Sequence, residues 1–351
     1  MINLNEKYSS VLSEYKFIDL FSGIGGFHFA LNSFGAECVF ASEWDRYASK
    51  VYFNNHGLLP EGDITEIDEK DIPYHDILCA GFPCQAFSVS GKQKGFEDTR
   101  GTLFFDIARI VQYHQPKILI LENVKNLVKH DGGNTLEIIL TVLEDLDYNV
   151  SFKVLNASHF GLPQNRERVY FVACHNSFFE ENFKFPERTN QLVSLNDVLE
   201  SNSEDAKIIE RDDIDIYKKI ENTNNLFKYS DYFNNSPMQI GKVNKGGQGE
   251  RIYHPSGHAI TLSAHGGGVG AKTGLYLIDG NVRKLTRREC ARLQGFPESF
   301  IYDESKSQAY KQFGNSVAID VLQHIIKNVI ETGRKNERFT EFRFADSKEW
   351  V

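Results

Sequence analysis

Short apolar runs alternating with helical patterns set the strongest constraint on this chain. Lys16-Phe-Ile-Asp-Leu-Phe21, Ala36-Glu-Cys-Val-Phe-Ala41, Ile77-Leu-Cys-Ala80 and Lys117-Ile-Leu-Ile-Leu121 each have the length of a strand, and 149–155 and 169–173 follow. Between them lie segments with helix-spaced apolar residues: 27–34, 102–113 (Leu103, Phe104, Ile107, Ile110, Val111) and 134–146 (Leu136, Ile139, Leu140, Leu143). Strands apolar on both faces need cover on both faces, which intervening helices supply in a parallel α/β sheet. Ligand groups in such a sheet gather beyond the strand C-termini. The residues that follow each run are therefore the candidates for function.

The first run ends in Ser22-Gly-Ile-Gly-Gly26 and a helix. Strand, glycine turn and helix form a nucleotide-cradling arrangement, with free N–H groups at the helix start. Glu43 stands 20 residues after Gly23, just past the second run, where an acid typically meets a ribose diol. Trp44 beside it could stack on a base or fill a core. Asp63, in Gly62-Asp-Ile-Thr65, suits a hydrogen bond to an exocyclic amine, or it is an exposed turn aspartate. The third run ends at Gly81, and Pro83 forbids its continuation in a sheet. Cys84 then opens a polar, glycine-punctuated loop reaching Gly101, longer than an ordinary connection. A thiol there is placed like a nucleophile, although most free cysteines are small buried hydrophobes. The fourth run ends in Glu122-Asn-Val124, at the same sheet edge. Arg166 and Arg168, two apart in an extended Gln164-Asn-Arg-Glu-Arg168, point to one side.

Composition is ordinary for a globular protein, and no apolar run reaches the length of a membrane span. The N-terminus lacks the basic and apolar segments of a signal peptide. Five scattered cysteines form neither a disulfide framework nor a zinc site, so a reducing cytoplasm is expected and no metal. The net charge is -9, yet 238–300 holds nine Lys/Arg against four Asp/Glu, a local excess of +5 that could face a polyanion. The pattern changes after Pro186. Residues 192–229 are acidic and weakly periodic; 239–277 are glycine-rich with short strand candidates at 251–253 and 259–262. A small, loop-rich β domain is expected there. Residues 285–293 have a helical pattern, and a last helix over 318–331 returns to the first domain.

The ordered set Phe17-Ile-Asp-Leu-Phe-Ser-Gly-Ile-Gly-Gly26, Gly81-Phe-Pro-Cys-Gln85, Glu122-Asn-Val124, Gln164-Asn-Arg-Glu-Arg168 and Gln312-Phe-Gly-Asn-Ser-Val317 resembles the signature motifs of DNA cytosine-5 methyltransferases, over nearly the whole chain. The resemblance implies a Rossmann-like S-adenosylmethionine-dependent methyltransferase sheet with a smaller loop-rich β target-recognition domain. It divides the chain into a catalytic and cofactor-binding domain (1–195, completed by 312–335), a target-recognition domain (196–290), a hinge (291–311) and a peripheral tail (336–351). It implies Cys84, Glu122, Arg166 and Arg168 as catalytic. S-adenosyl-L-methionine, leaving as S-adenosyl-L-homocysteine, would meet Phe21, Gly23, Gly25, Gly26, Glu43, Trp44, Asp63, Ile64 and Asn315. Double-stranded DNA would meet Ser90, Gln248, Arg251 and Tyr253, within GCGC and with the target cytosine flipped out. The setting it implies is the prokaryotic cytoplasm, in a restriction-modification system with a cognate endonuclease acting on the same site. The acidic stretch after Lys184 and the tail after Gly333 depart from the family pattern. Three other readings compete. A Rossmann oxidoreductase shares the glycine turn and Glu43 but needs no Pro83-Cys84. An RNA cytosine-5 methyltransferase usually has a reduced target-reading region. A non-catalytic DNA-binding relative would lose nothing on Cys84→Ser.

Overall fold

The apolar runs become one sheet. The computed structural model describes residues 8–83, 102–178, 183–189, 191–201, 204–217 and 236–335. The strands are β1 (Lys16–Leu20), β2 (Glu37–Ser42), β3 (Ile77–Gly81), β4 (Ile118–Val124), β5 (Tyr148–Asn156) and, after the two-residue β6 (Gln164–Asn165), β7 (Glu167–His175). Their order is β2-β1-β3-β4-β7-β5. β2, β1, β3 and β4 pair in parallel, as expected. β7 runs antiparallel to both β4 and β5, so the sheet is mixed rather than wholly parallel. The link from β5 to β7 explains this. It holds one short 3-10 turn and β6, and a parallel return needs a crossover of a dozen or more residues.

Alternation along the strands feeds two cores, one on each face. Ile18, Leu20, Leu78, Leu119 and Leu121 meet Phe104, Ile107 and Ile139 on one side. Phe17, Cys79, Ile118 and Ile120 share the other core with Phe27, Leu31 and Ile325. The helices supplying these residues are α1 (Gly26–Asn32), α2 (Arg46–His56), α3 (Leu103–His114) and α4 (Asn134–Asp145), followed late in the chain by α5 (Arg287–Leu293), α6 (Lys306–Asn315) and α7 (Ile319–Lys335). α7 does return to the first sheet: Gln323 Nε2 donates to Ser33 Oγ at 3.0 Å, at the end of α1. α6 has no counterpart in the sequence pattern, since Lys306-Ser-Gln-Ala-Tyr-Lys-Gln312 carries few apolar residues.

A second sheet holds β8 (Asp215–Ile216), β9 (Met238–Lys242) and β10 (Arg251–His254); after β11 (Ala259–Ile260) it is completed by β12 (Leu275–Ile278) and β13 (Asn281–Arg283), in the order β13-β12-β10-β9-β8. Its small core is Ile209, Ile240, Val243, Ile252, Leu275 and Val282. β11 leaves this sheet and pairs with β6, Ala259 opposite Gln164 and Ile260 opposite Asn165. That pairing lays the glycine-rich segment beside Arg166.

The basic excess over 238–300 is largely spent inside the protein. Arg283 makes a bidentate pair with Glu289, both N–O distances 2.8 Å and both side chains buried. Arg287 pairs with Asp205 at 2.9 Å, Arg292 with Glu298 at 2.7 Å, and Arg288 donates to the carbonyls of Pro297 and Phe300. Lys245 and Arg251 remain exposed on the loop and strand that carry Gln248.

Candidate cofactor and catalytic site

β1 breaks into its turn at Phe21, whose φ of 55° is left-handed and costs a non-glycine residue of order 1–3 kcal/mol. Ser22 N–H donates to Ser42 O at 2.9 Å, tying the turn to the end of β2. Glu43 clamps it further. Its Oε2 accepts the Gly23 N–H at 2.8 Å and its Oε1 accepts the Asp45 N–H at 2.7 Å. Burial raises the Glu43 pKa, and those two amides oppose the rise. Each oxygen keeps a second lone pair for a ligand hydroxyl.

The three glycines of the turn differ in what surrounds them. A Cβ on Gly23 would meet nothing within 4 Å, so this face is open. A Cβ on Gly25 would lie 2.1 Å from His56 Nε2, and one on Gly26 would lie 2.4 Å from Val317 Cγ2. Those two let helix α2 and the chain before α7 close in from beneath. Trp44 is 80% exposed, which removes the core alternative for it. Asp63 is exposed and its Oδ1 accepts from Thr65 N at 3.0 Å and Thr65 Oγ1 at 2.9 Å, capping a short 3-10 turn. Ile64 is buried, and its carbonyl accepts from Arg109 Nη2 at 2.6 Å. Asn315 is exposed at the end of α6, and Ser316 and Val317 just after it close on Gly26. An open glycine turn, a clamped carboxylate and an exposed indole fit a nucleoside with a charged tail.

Of the catalytic candidates, Glu122 and Arg168 meet, at adjacent ends of β4 and β7 and level with the end of β3. Register sets Gly81 opposite Glu122, and Val124 opposite Arg168. Glu122 is 7% exposed. Arg168 Nε stands 3.1 Å from its Oε1, a close charge contact whose angle leaves Oε1 without a hydrogen-bond partner among the described residues. Burial raises the Glu122 pKa, while Arg168 and then Arg166 pull it down. The net direction is upward, so this carboxyl gives up its proton less readily than an exposed one. Asn123, which sequence reasoning passed over, donates from Nδ2 to Phe82 O at 2.7 Å and so ties β4 to the chain just before Pro83.

Cys84 and Ser90 lie outside the described residues. The other four cysteines are free thiols, three of them buried and Cys38 partly so. Burial pushes Cys38 and Cys174 up to about 12 and Cys79 and Cys290 well above the usual thiol range.

Arg166 is 2% exposed and spans segments far apart in sequence. Its Nη1 donates to Leu262 O at 3.0 Å, and its Nη2 donates to Gly314 O at 3.1 Å and to Ser316 O. Arg168 faces the carboxylate; Arg166 is engaged with backbone. Gln248, Arg251 and Tyr253 line a cleft together with Asn165, Gly249 and Thr261, where β6 meets the second sheet. Gln248 and Arg251 are exposed, and Tyr253 leans on Tyr276 with ring centroids 6.0 Å apart. The carboxylate pair and the cofactor turn are thus neighbours across Val317, and the cleft joins them through β6 and Arg166. Lys311 also escaped the sequence reading; it pairs with Asp45 at 2.7 Å, beside Trp44.

Among the described residues no cluster of three or more His, Cys, Asp or Glu is arranged to hold a metal ion, and no helix is long and apolar enough to cross a membrane.

Comparison with known proteins identifies a family. The family profile for C-5 cytosine-specific DNA methylase matches residues 15–331. Type II methyltransferase M.HhaI of Haemophilus parahaemolyticus is 53% identical over 331 residues, 94% of this chain and 97% of its own. Type II methyltransferase M.HpaII of Haemophilus parainfluenzae is 45% identical over 350 residues, 94% of this chain and 91% of its own. Among solved structures, the Dnmt2 methyltransferase of S. pombe superposes with a TM-score of 0.65 at 23% identity, covering 90% of this chain and 98% of its own. At that identity the likeness speaks for the fold.

Proposed function

Because the chain belongs to the C-5 cytosine-specific DNA methylase family and is a DNA cytosine-5 methyltransferase, we propose that it methylates the inner cytosine of GCGC in double-stranded DNA. It would be the modification partner of a type II restriction endonuclease cutting the same site. The type II setting is supported by the names of its relatives, and GCGC is what the resemblance carried by Gly246-Gly-Gln-Gly-Glu-Arg-Ile-Tyr253 implies.

The observation that carries the mechanism is Glu122: buried, its pKa raised by that burial, and level with the end of the strand that leads to Cys84. The Cys84 thiolate adds to C6 of the cytosine, and the C5–C6 π pair moves toward C5 and the ring nitrogen N3. Glu122 presents its proton at N3 and so lowers the cost of that charge. Arg168, 3.1 Å from Glu122, steadies the carboxylate and the ring's O2. S-adenosyl-L-methionine supplies an electrophilic methyl group when bound. Glu43 and the Gly23 turn hold its ribose, Trp44 stacks on its adenine, and Asp63, Ile64, Phe21 and Asn315 complete the rim. A base then removes the C5 proton, and the returning pair expels the Cys84 thiolate. Cys84 takes this role from its place in Gly81-Phe-Pro-Cys-Gln85, and burial disfavours the thiolate at the other four cysteines.

A stacked base exposes neither C5 nor C6 to this chemistry, so the cytosine is flipped out, at a cost of a few kcal/mol. Gln248 and Ser90 fill the gap, and Arg251 pairs with guanine in the major groove. Bisulfite sequencing of DNA incubated with the protein and S-adenosylmethionine tests the whole reading. Protection at the inner cytosine of GCGC, lost in Cys84→Ala while DNA binding persists, is expected. Protection at another sequence would overturn the specificity; full activity of Cys84→Ala would overturn the chemistry.

A further inference from the structure

We infer that Gly314 is a positioning residue that holds the target-reading loop in register with the catalytic sheet, an inference resting on the DNA methyltransferase reading above. A Cβ on Gly314 would lie 2.1 Å from Ala264 N, 2.2 Å from Ser263 C and 2.7 Å from Ala264 Cα. All three are backbone atoms, so no side chain can swing aside to make room. Backbone conformation does not require glycine here. Gly314 lies within α6 and is not among the residues with positive φ. In a helix alanine is favoured over glycine by about 0.5–1 kcal/mol. Close approach of the 263–264 backbone is the remaining physical reason for glycine.

What Gly314 holds is a segment that leads away from the cleft lined by Ile260 and Thr261 and back to the loop carrying Gln248. Residues 265–268 are exposed, and the segment packs on the loop carrying Gln248. Gly270 N donates to Gly249 O at 2.7 Å, and a Cβ on Gly249 would lie 2.4 Å from Gly267 O. A push at Ala264 therefore passes along rigid backbone contacts to residues 248–251. The other end of the same turn is fixed to the chemistry. Val317 Cγ2 packs against Gly26 of the cofactor turn, and its Cγ1 lies 3.7 Å from where a Cβ on Gly81 would sit. Arg166 locks the two ends together by donating to Leu262, Gly314 and Ser316 carbonyls. Cofactor turn, the end of β3 and target loop thus take their relative positions from 314–317.

Gly314→Ala is the test, because the helix accepts alanine and only the loop contact is disturbed. Three quantities are measured against the wild type: kcat/KM on a GCGC duplex, the ratio of that value to kcat/KM on a duplex with one altered base pair, and the Kd for S-adenosylmethionine without DNA. We expect kcat/KM on the intact site to fall about 10- to 100-fold, the scale of an ångström-sized misplacement, and discrimination to shrink. The cofactor Kd should stay within about twofold, since the turn's contact with Gly26 is made by Val317. Unchanged kcat/KM and discrimination would overturn the inference. So would a cofactor Kd weakened in step with kcat/KM, which would make Gly314 part of the cofactor pocket. Should the alanine variant not fold, Arg166→Lys keeps the charge but gives up the fork that joins Leu262 O to the Gly314 and Ser316 carbonyls, and the same signature is expected; its absence overturns the inference. A wild type that methylates no DNA defeats the functional reading instead, which the first measurement reports before any variant is made.

Discussion

His28 and His56 stack beneath the cofactor turn with centroids 3.8 Å apart and planes 15° from parallel. His28 is buried and its Nδ1 shares a 2.8 Å hydrogen bond with Tyr52 Oη; His56 Nε2 is buried without a hydrogen-bond partner among the described residues. Burial depresses His28 to about 4, and burial plus the neighbouring His28 depresses His56 to about 3. Both rings are thus neutral in the fold, while in the unfolded chain they titrate near 6.5. A depressed histidine contributes stability above the unfolded pKa and loses it as pH falls toward the folded one. At pH 5 the unfolded state gains about 2 kcal/mol from protonating each ring, and the folded state gains almost nothing. The pair therefore costs the wild type about 4 kcal/mol between pH 7 and pH 5. His56→Phe keeps a planar ring on His28 and forfeits no hydrogen bond at Nε2, so it should reduce that loss to about 2 kcal/mol. Asp19 and Glu122, whose pKa values burial raises, act in the opposite sense but equally in both proteins. The assay is urea unfolding of both proteins at pH 7, 6 and 5, comparing the change in stability rather than its absolute value. Parallel pH profiles for wild type and variant would refute the claim that the pair is held neutral.

Three further outcomes are expected. Glu122→Gln keeps the shape but has no titrating proton; turnover should fall about 10²- to 10⁴-fold, and the activity loss that wild type shows as pH rises through the raised Glu122 pKa should vanish from whatever activity remains. Steady-state rates across pH would contradict this if the variant kept the same profile. Glu289→Ala strands the buried Arg283 and removes the acceptor for Thr286 N and Glu200 N, so denaturant titration should show a loss of about 3–5 kcal/mol; under 1 kcal/mol would mean the pair is not desolvated as described. Lys245→Gln, at an exposed lysine beside Gln248, should lower the slope of log K for DNA against log salt by about 0.9 if it meets one phosphate, and an unchanged slope would remove it from the interface.

Much of this site was legible because its parts are local. Pro83 after a short apolar run, glycines after another, and Glu122 at the end of a third are each read within a few residues, and parallel pairing then puts strand ends side by side. The sense of β7 was not local: it depends on a link too short for a crossover, and the apolar pattern of a strand is the same in either direction. Charge counting along the sequence is incomplete for a related reason. Asp205 and Asp215, which pair with Arg287 and Lys242, lie outside the basic segment, so the excess seen along the sequence is not the charge on the surface. α6 was hidden because its burial rests on few apolar residues, chiefly Ala309 and Phe313.

The hardest part to read was Arg166. In sequence it is the twin of Arg168, two residues away and facing the same sheet edge. The register of β4 with β7 brings Arg168 to Glu122, while the β6–β11 pairing brings the backbone of Leu262 to Arg166. One arginine meets a charge and the other meets carbonyls, and nothing in the residue type separates them. The same logic governs Gly314 and Val317, whose importance lies in what they let approach: Ala264 on one side, Gly26 and Gly81 on the other. The candidate chemistry lies on side chains that are read locally, whereas the packing around 314–317 joins segments about fifty to three hundred residues apart. A specificity change in such an enzyme is therefore to be sought in the packing at 314–317 as well as in the residues that face DNA.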